Sequence, residues 1–114
     1  MGKDYSNEVK TLLNSFKERG FEFGKPMKLL NFKSGLFENE MKEELFNFDY
    51  LVFTEKQDRS KEIRYALYFV YNKRKGRVFV ITFRNKIRII TIYPLGQKTL
   101  KKYYKRKFKK DGKL

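Results

Sequence analysis

The chain has 114 residues, 40% of them hydrophobic and 18% aromatic, which suits one globular domain and is too apolar for a disordered chain. It contains no cysteine and no histidine, which excludes disulfides, thiolate–zinc sites and imidazole acid–base chemistry. The formal net charge is +15, split so that residues 1–55 sum to −2 and residues 56–114 to +17. Solubility needs no such excess, and its confinement to one half points to a polyanionic partner.

Residues 5–19 predict an amphipathic helix. Val9, Leu12, Leu13 and Phe16 recur at helical spacing, Ser6 is the expected N-cap, and Gly20 stops the run just after Lys17 and Arg19. Residues 20–36 are punctuated by Gly20, Gly24, Pro26 and Gly35 and read as a loop with room for a short strand or turn. A second short helix is predicted from about Leu36 to Leu45, with Glu38, Glu40, Glu43 and Glu44 facing solvent. No histidine or neighbouring aspartate completes a ligand set with these acids, so no metal is expected.

From Phe46 the period changes to two. Strands are predicted at about 47–54, 61–72, 77–84 and 86–93, rich in Ile, Val, Phe, Tyr and Thr. Gly76 is expected to supply a left-handed residue to one hairpin, and Asn85 a positive φ to the next. Pro94 and Gly96 end the last strand. The segment from Gln97 to Lys110 reads either as a basic helix with Leu100, Tyr104 and Phe108 on one stripe or as a partly disordered tail. The expected fold is α+β in one domain spanning 1–114. It has a helical and loop part (1–46) packed on a four-stranded antiparallel meander (47–94), then a basic helix or tail (95–114).

These registers predict two unlike sheet faces. One is almost wholly apolar, with Tyr65, Leu67, Phe69, Tyr71, Phe79, Ile81, Phe83, Ile90 and Ile92, and should lie under the N-terminal helix. The other mixes Arg64, Ala66, Tyr68, Val80, Thr82, Arg84, Ile87, Ile89, Thr91 and Tyr93, with Arg88 near its rim. Arginine offers a fork of donors to phosphate, and tyrosine offers a stacking surface to an unpaired base. A solvated back face of an antiparallel sheet carries the same residue types. The strongest candidates for phosphate contact are the basic clusters: Lys73, Arg74, Lys75 and Arg77 around a hairpin tip, and Lys98, Lys101, Lys102, Lys105, Arg106, Lys107, Lys109 and Lys110 in the tail. No acid occurs between Glu62 and Asp111, unlike an ordinary solvated helix, which mixes signs. Such clusters neutralise phosphates without reading sequence.

The helical part followed by four strands, the segment from Gly76 to Arg84 (Gly-Arg-Val-Phe-Val-Ile-Thr-Phe-Arg) and the closing Ile-Thr-Ile-Tyr-Pro of residues 90–94 resemble the barnase/colicin/RelE-type ribonuclease fold group, which includes toxin ribonucleases. The resemblance covers roughly residues 47–110. It implies metal-independent RNA cleavage by attack of the 2′-hydroxyl on the adjacent phosphate. It also implies that Arg64, Arg84 and Arg88 stabilise the charged phosphate and that Tyr93 acts as acid–base or stacking group, with Glu62 a weaker candidate base. The expected function is therefore nucleic-acid binding, more of RNA than of DNA, either with RelE-like cleavage or as a non-catalytic or ribosome-associated module. No cofactor is expected, and a toxin-type protein would have an acidic antitoxin-like partner. No apolar run is long enough to span a membrane, and the first residues lack the apolar stretch of a secretory signal, so a cytoplasmic location is expected.

Overall fold

A computed structural model describes residues 2–59 and 61–110, with side chains described as far as Arg106. The chain runs α1 (Ser6–Phe16), a 3-10 turn (Lys17–Arg19), β1 (Phe21–Phe23), α2 (Met27–Ser34), α3 (Glu38–Leu45), a second 3-10 turn (Phe48–Tyr50), β2 (Leu51–Arg59), β3 (Glu62–Asn72), β4 (Lys75–Phe83), β5 (Ile87–Pro94) and α4 (Gln97–Lys110). The α+β class is as expected, but the sheet has five strands in the order β1-β5-β4-β3-β2 and is mixed. Strands β2 to β5 form the antiparallel meander, and β1 adds a parallel edge against β5 with Phe21 opposite Ile87.

The elements form for local reasons. In α1, Val9 and Leu13 are buried and Leu12 and Phe16 pack beside them, as the spacing predicts. Its cap differs from expectation. Ser6 is the first helical residue, and its N–H and hydroxyl both donate to Asp4 Oδ1, at 3.0 and 2.6 Å. The same Asp4 oxygen accepts from the Thr54 N–H at 3.0 Å, while the Tyr5 N–H donates to the Thr54 carbonyl at 3.0 Å. The N-terminal segment thus occupies the outer edge of β2 at its midpoint.

Helix α2 lies where a loop was expected. Pro26 precedes it with φ −54°, and its carbonyl accepts from Leu29 and Leu30. Gly35 ends it in the left-handed region at φ 74°, donating to Asn31 O at 2.7 Å. In α3 the Glu40 carboxylate turns back to accept the Phe37 N–H at 3.0 Å.

Two hairpin expectations are corrected. Among the described residues the only ones with positive φ are Gly20 and Gly35, so neither Gly76 nor Asn85 closes its turn in that way. Gly76 is required by space. A Cβ there would lie 2.7 Å from Leu95 Cδ1, 2.7 Å from the Phe69 carbonyl oxygen and 3.1 Å from Leu100 Cδ1.

The main core lies between one sheet face and α1, α2 and α3, and contains Leu30, Met41, Leu45, Leu67, Phe69, Phe79 and Ile81. Ile87 and Ile89 join this core, whereas Ile90 lies among the residues of the opposite face, reversing their expected positions. The cause is an irregularity in β4–β5, where the pairing steps from Val80–Thr91 to Ile81–Ile89, and one extra residue in β5 exchanges the faces on either side. The opposite face is partly covered by α4, whose Leu100 and Tyr103 are buried against Phe53 and Val70. Tyr103, rather than the expected Tyr104, is the buried aromatic; Tyr104 is half-buried, and the Phe108 side chain lies outside the described residues.

Candidate nucleic-acid interface

Helix α4 is built to present charge. Leu100 and Tyr103 fix one side to the sheet, with the Tyr103 ring stacked on Phe53 at 5.8 Å and tilted against Tyr68 at 5.2 Å. The remaining sides expose Lys98, Lys101, Lys102, Lys105 and Arg106. The Lys102 ammonium lies 5.8 Å from the Tyr103 ring centre, and the Arg106 guanidinium 5.8 Å from that of Phe53. Lys107, Lys109 and Lys110 continue the helix, but their side chains lie outside the described residues.

The β3–β4 tip adds exposed Lys73, Arg74 and Lys75, and the chain holds it against the start of α4. The Leu95 N–H donates to the Gly76 carbonyl at 3.0 Å, and the Leu95 and Leu100 side chains close over Gly76. Lys73, Lys75, Lys98, Lys101 and Lys105 take part in no ion pair among the described residues.

Arg77 does not belong to this surface, which corrects its place among the expected phosphate contacts. Its side chain is buried on the helix-covered face. Nη1 meets Glu44 Oε1 at 2.7 Å, Nε donates to the Ser34 carbonyl at 3.3 Å, and the guanidinium lies 5.6 Å from the Tyr71 ring centre. The Tyr71 hydroxyl donates to the same Glu44 oxygen. Glu44, expected on solvent with its neighbours, is therefore the anchor of a structural network. Burial, and then Glu44, raise the Tyr71 hydroxyl above its ordinary range.

The other expected residues divide into two places. Glu22, Arg88, Thr82, Arg64 and Gln57 are successive cross-strand partners, one on each strand from β1 to β2. The row puts Arg64 and Arg88 two strands apart, about 10 Å between their Cα atoms. Each arginine is already engaged. Glu62 takes Arg64 Nε at 2.6 Å and Arg84 Nη2 at 2.9 Å, and Arg88 Nη1 lies 3.5 Å from Glu22 Oε1. Arg64, and then Arg84, hold the Glu62 carboxyl below the usual carboxylate range, which makes it a poor proton acceptor.

Tyr93 stands in a different row, with Val78 and Tyr68 as successive partners. Four residues of β3 separate the two rows, about 13 Å. Burial, and then Glu55, raise the Tyr93 hydroxyl, so it stays protonated and available to donate or stack.

A cleft of about 570 Å³ opens at the end of the sheet far from the Lys73–Lys75 tip, lined in part by Arg59, Lys61, Glu62, Tyr65 and Arg84. It takes in Arg84 but not Arg64, Arg88 or Tyr93. The sequence reading missed Glu22, Arg59 and Lys61. Arg59 lies in the connection between the strands predicted at 47–54 and 61–72 and Lys61 opens the second, a signal that was present, whereas Glu22 depends on a three-residue strand with no signal of its own. Among the described residues no group of three or more acids is placed to hold a metal ion, and no helix is long and apolar enough to cross a membrane. No family model, no curated protein and no solved structure matches the chain.

Proposed function

We propose that the protein binds nucleic acid through the outer side of α4 and the adjoining Lys73–Lys75 tip. The observation that carries this reading is the state of the α4 lysines. Lys98, Lys101 and Lys105 are exposed on a helix with no acid and meet no carboxylate among the described residues. Arg64 and Arg84, by contrast, are held by Glu62, and Arg88 by Glu22. A phosphate backbone supplies the counter-charge that Lys98, Lys101 and Lys105 do not find among the described residues, and such binding releases counterions and weakens steeply with salt. The test is fluorescence anisotropy of labelled single-stranded RNA and DNA over a salt series. Lys98→Glu/Lys101→Glu/Lys105→Glu should weaken binding and reduce the salt slope by about 2–3. Unchanged affinity in that variant, or no binding at low salt, would overturn the proposal.

The row of Arg64, Thr82 and Arg88 favours a second reading, in which bound RNA is also cleaved. Two guanidinium groups on one face can clasp a phosphate and stabilise charge that develops on it. Product formation in the presence of a chelator, lost in Arg64→Ala while RNA still binds, is the outcome this reading requires. Intact RNA after binding would eliminate it and leave the binding proposal standing.

A further inference from the structure

Helix α2 buries Leu30 and Ser34 but carries two large apolar residues on its other side. Phe32 is 87% exposed and Leu29 51%, and Phe37, just beyond the helix, is 71% exposed. Solvent-facing apolar groups of this size in one short segment cost solubility and have no role in the core.

Their charged neighbours are arranged around them. Successive helical residues turn by about 100°, so Phe32 and Leu29 lie side by side, with Lys28 beyond the first and Lys33 beyond the second. Both lysines are exposed, Lys25 precedes the helix, and α2 contains no acid. The first two acids that follow are engaged, Glu40 with the Phe37 N–H and Glu38 with Lys42 at 3.2 Å. An apolar stripe with lysines on both flanks matches a plane of anionic headgroups above an acyl layer. The rings enter the layer while the lysine stems reach back to the phosphates. The basic tip lies toward the same end, since the Ser34 carbonyl at the end of α2 accepts from Arg77, two residues past Lys75.

We propose that α2 is a docking site for an anionic lipid surface, seated by Leu29 and Phe32 and steered by Lys28 and Lys33. The site is distinct from α4 and does not depend on nucleic-acid binding.

The chain has no tryptophan, so Phe32→Trp gives a single reporter at the centre of the stripe. With phosphatidylglycerol vesicles its emission should shift to the blue, and with phosphatidylcholine vesicles it should not. Ile63→Trp, an exposed apolar position in the distant cleft, should show no shift with either. Leu29→Ser/Phe32→Ser, at positions too exposed to support the core, should weaken co-sedimentation with the anionic vesicles about tenfold or more. Vesicle binding without a shift at position 32 would assign the contact to α4 charge alone and overturn the proposal. So would a concentration-dependent shift in the absence of lipid, which would make the stripe a contact between two copies of the chain.

Discussion

Arg77 carries its charge in one of the two basic clusters of the chain, yet its guanidinium faces Glu44, Tyr71 and the Ser34 carbonyl. Cross-strand position decides this. Arg77 lies opposite Phe69 on the covered face, while Lys75, two residues before it, stays at the tip. Removing the guanidinium strands a largely buried carboxylate, so Arg77→Ala should cost about 2–3 kcal/mol in urea unfolding. The salt slope of nucleic-acid binding should be unchanged, because no phosphate contact is lost. A changed slope with unchanged stability would return Arg77 to the binding surface. Nothing in a linear charge count separates Arg77 from Arg74. Gly76 is equally ambiguous in sequence: glycine signals a need for either backbone freedom or space, and only the approach of Leu95 and Leu100 shows that it is space.

At the level of elements, α1, α3 and the last three strands of the meander were legible, because each carries one clear period, whereas the first strand, expected at 47–54, runs from Leu51 to Arg59 after the 3-10 turn Phe48–Tyr50. Helix α2 was not. Leu29, Leu30 and Phe32 place apolar groups on both of its sides, which blurs the helical period, and Pro26 and Gly35 looked like loop punctuation while serving as its boundaries. Strand β1 is three residues long and finds its partner only in β5, far along the chain. The face assignment of β5 failed at one irregularity, since a single extra residue reverses every side chain beyond it. The other edge of the sheet has a device that composition does not reveal. Asp4 and Tyr5 take both main-chain groups of Thr54 and so interrupt the free edge of β2. Asp4→Ala should lower stability by about 1–2 kcal/mol and promote self-association through that edge, seen by sedimentation. A strictly monomeric variant of lower stability would show that Asp4 caps α1 without guarding the strand.

At the scale of the whole molecule, the pH response is distributed over both faces of the sheet. Tyr65 is raised by burial and by its 2.5 Å hydrogen bond to Glu8, and Tyr71 by burial and Glu44. A hydroxyl raised on folding gives stability that is complete below its unfolded value of 10.0 and is lost as pH climbs toward the folded value. Glu8 and Glu62 act in the opposite sense. Lys56, then Tyr65, lower Glu8, and Arg64, then Arg84, lower Glu62, so their contribution is present above 4.5 and lost as pH falls below it. The melting temperature should therefore hold over the neutral range, decline above pH 10 and decline again in acid. Tyr65→Phe should make the alkaline decline shallower, and an identical decline in that variant would remove Tyr65 from the account.

The closure of Leu95 and Leu100 over Gly76 has a further consequence for the proposed nucleic-acid binding. A flexible basic tail would have to surrender its freedom each time it met a ligand, whereas α4 and the tip are set at a fixed spacing before any encounter. The ordering cost is met during folding, so affinity should respond to the spacing between phosphates as well as to their number. Compact and stretched strands of equal charge would then be told apart by a surface that reads no bases.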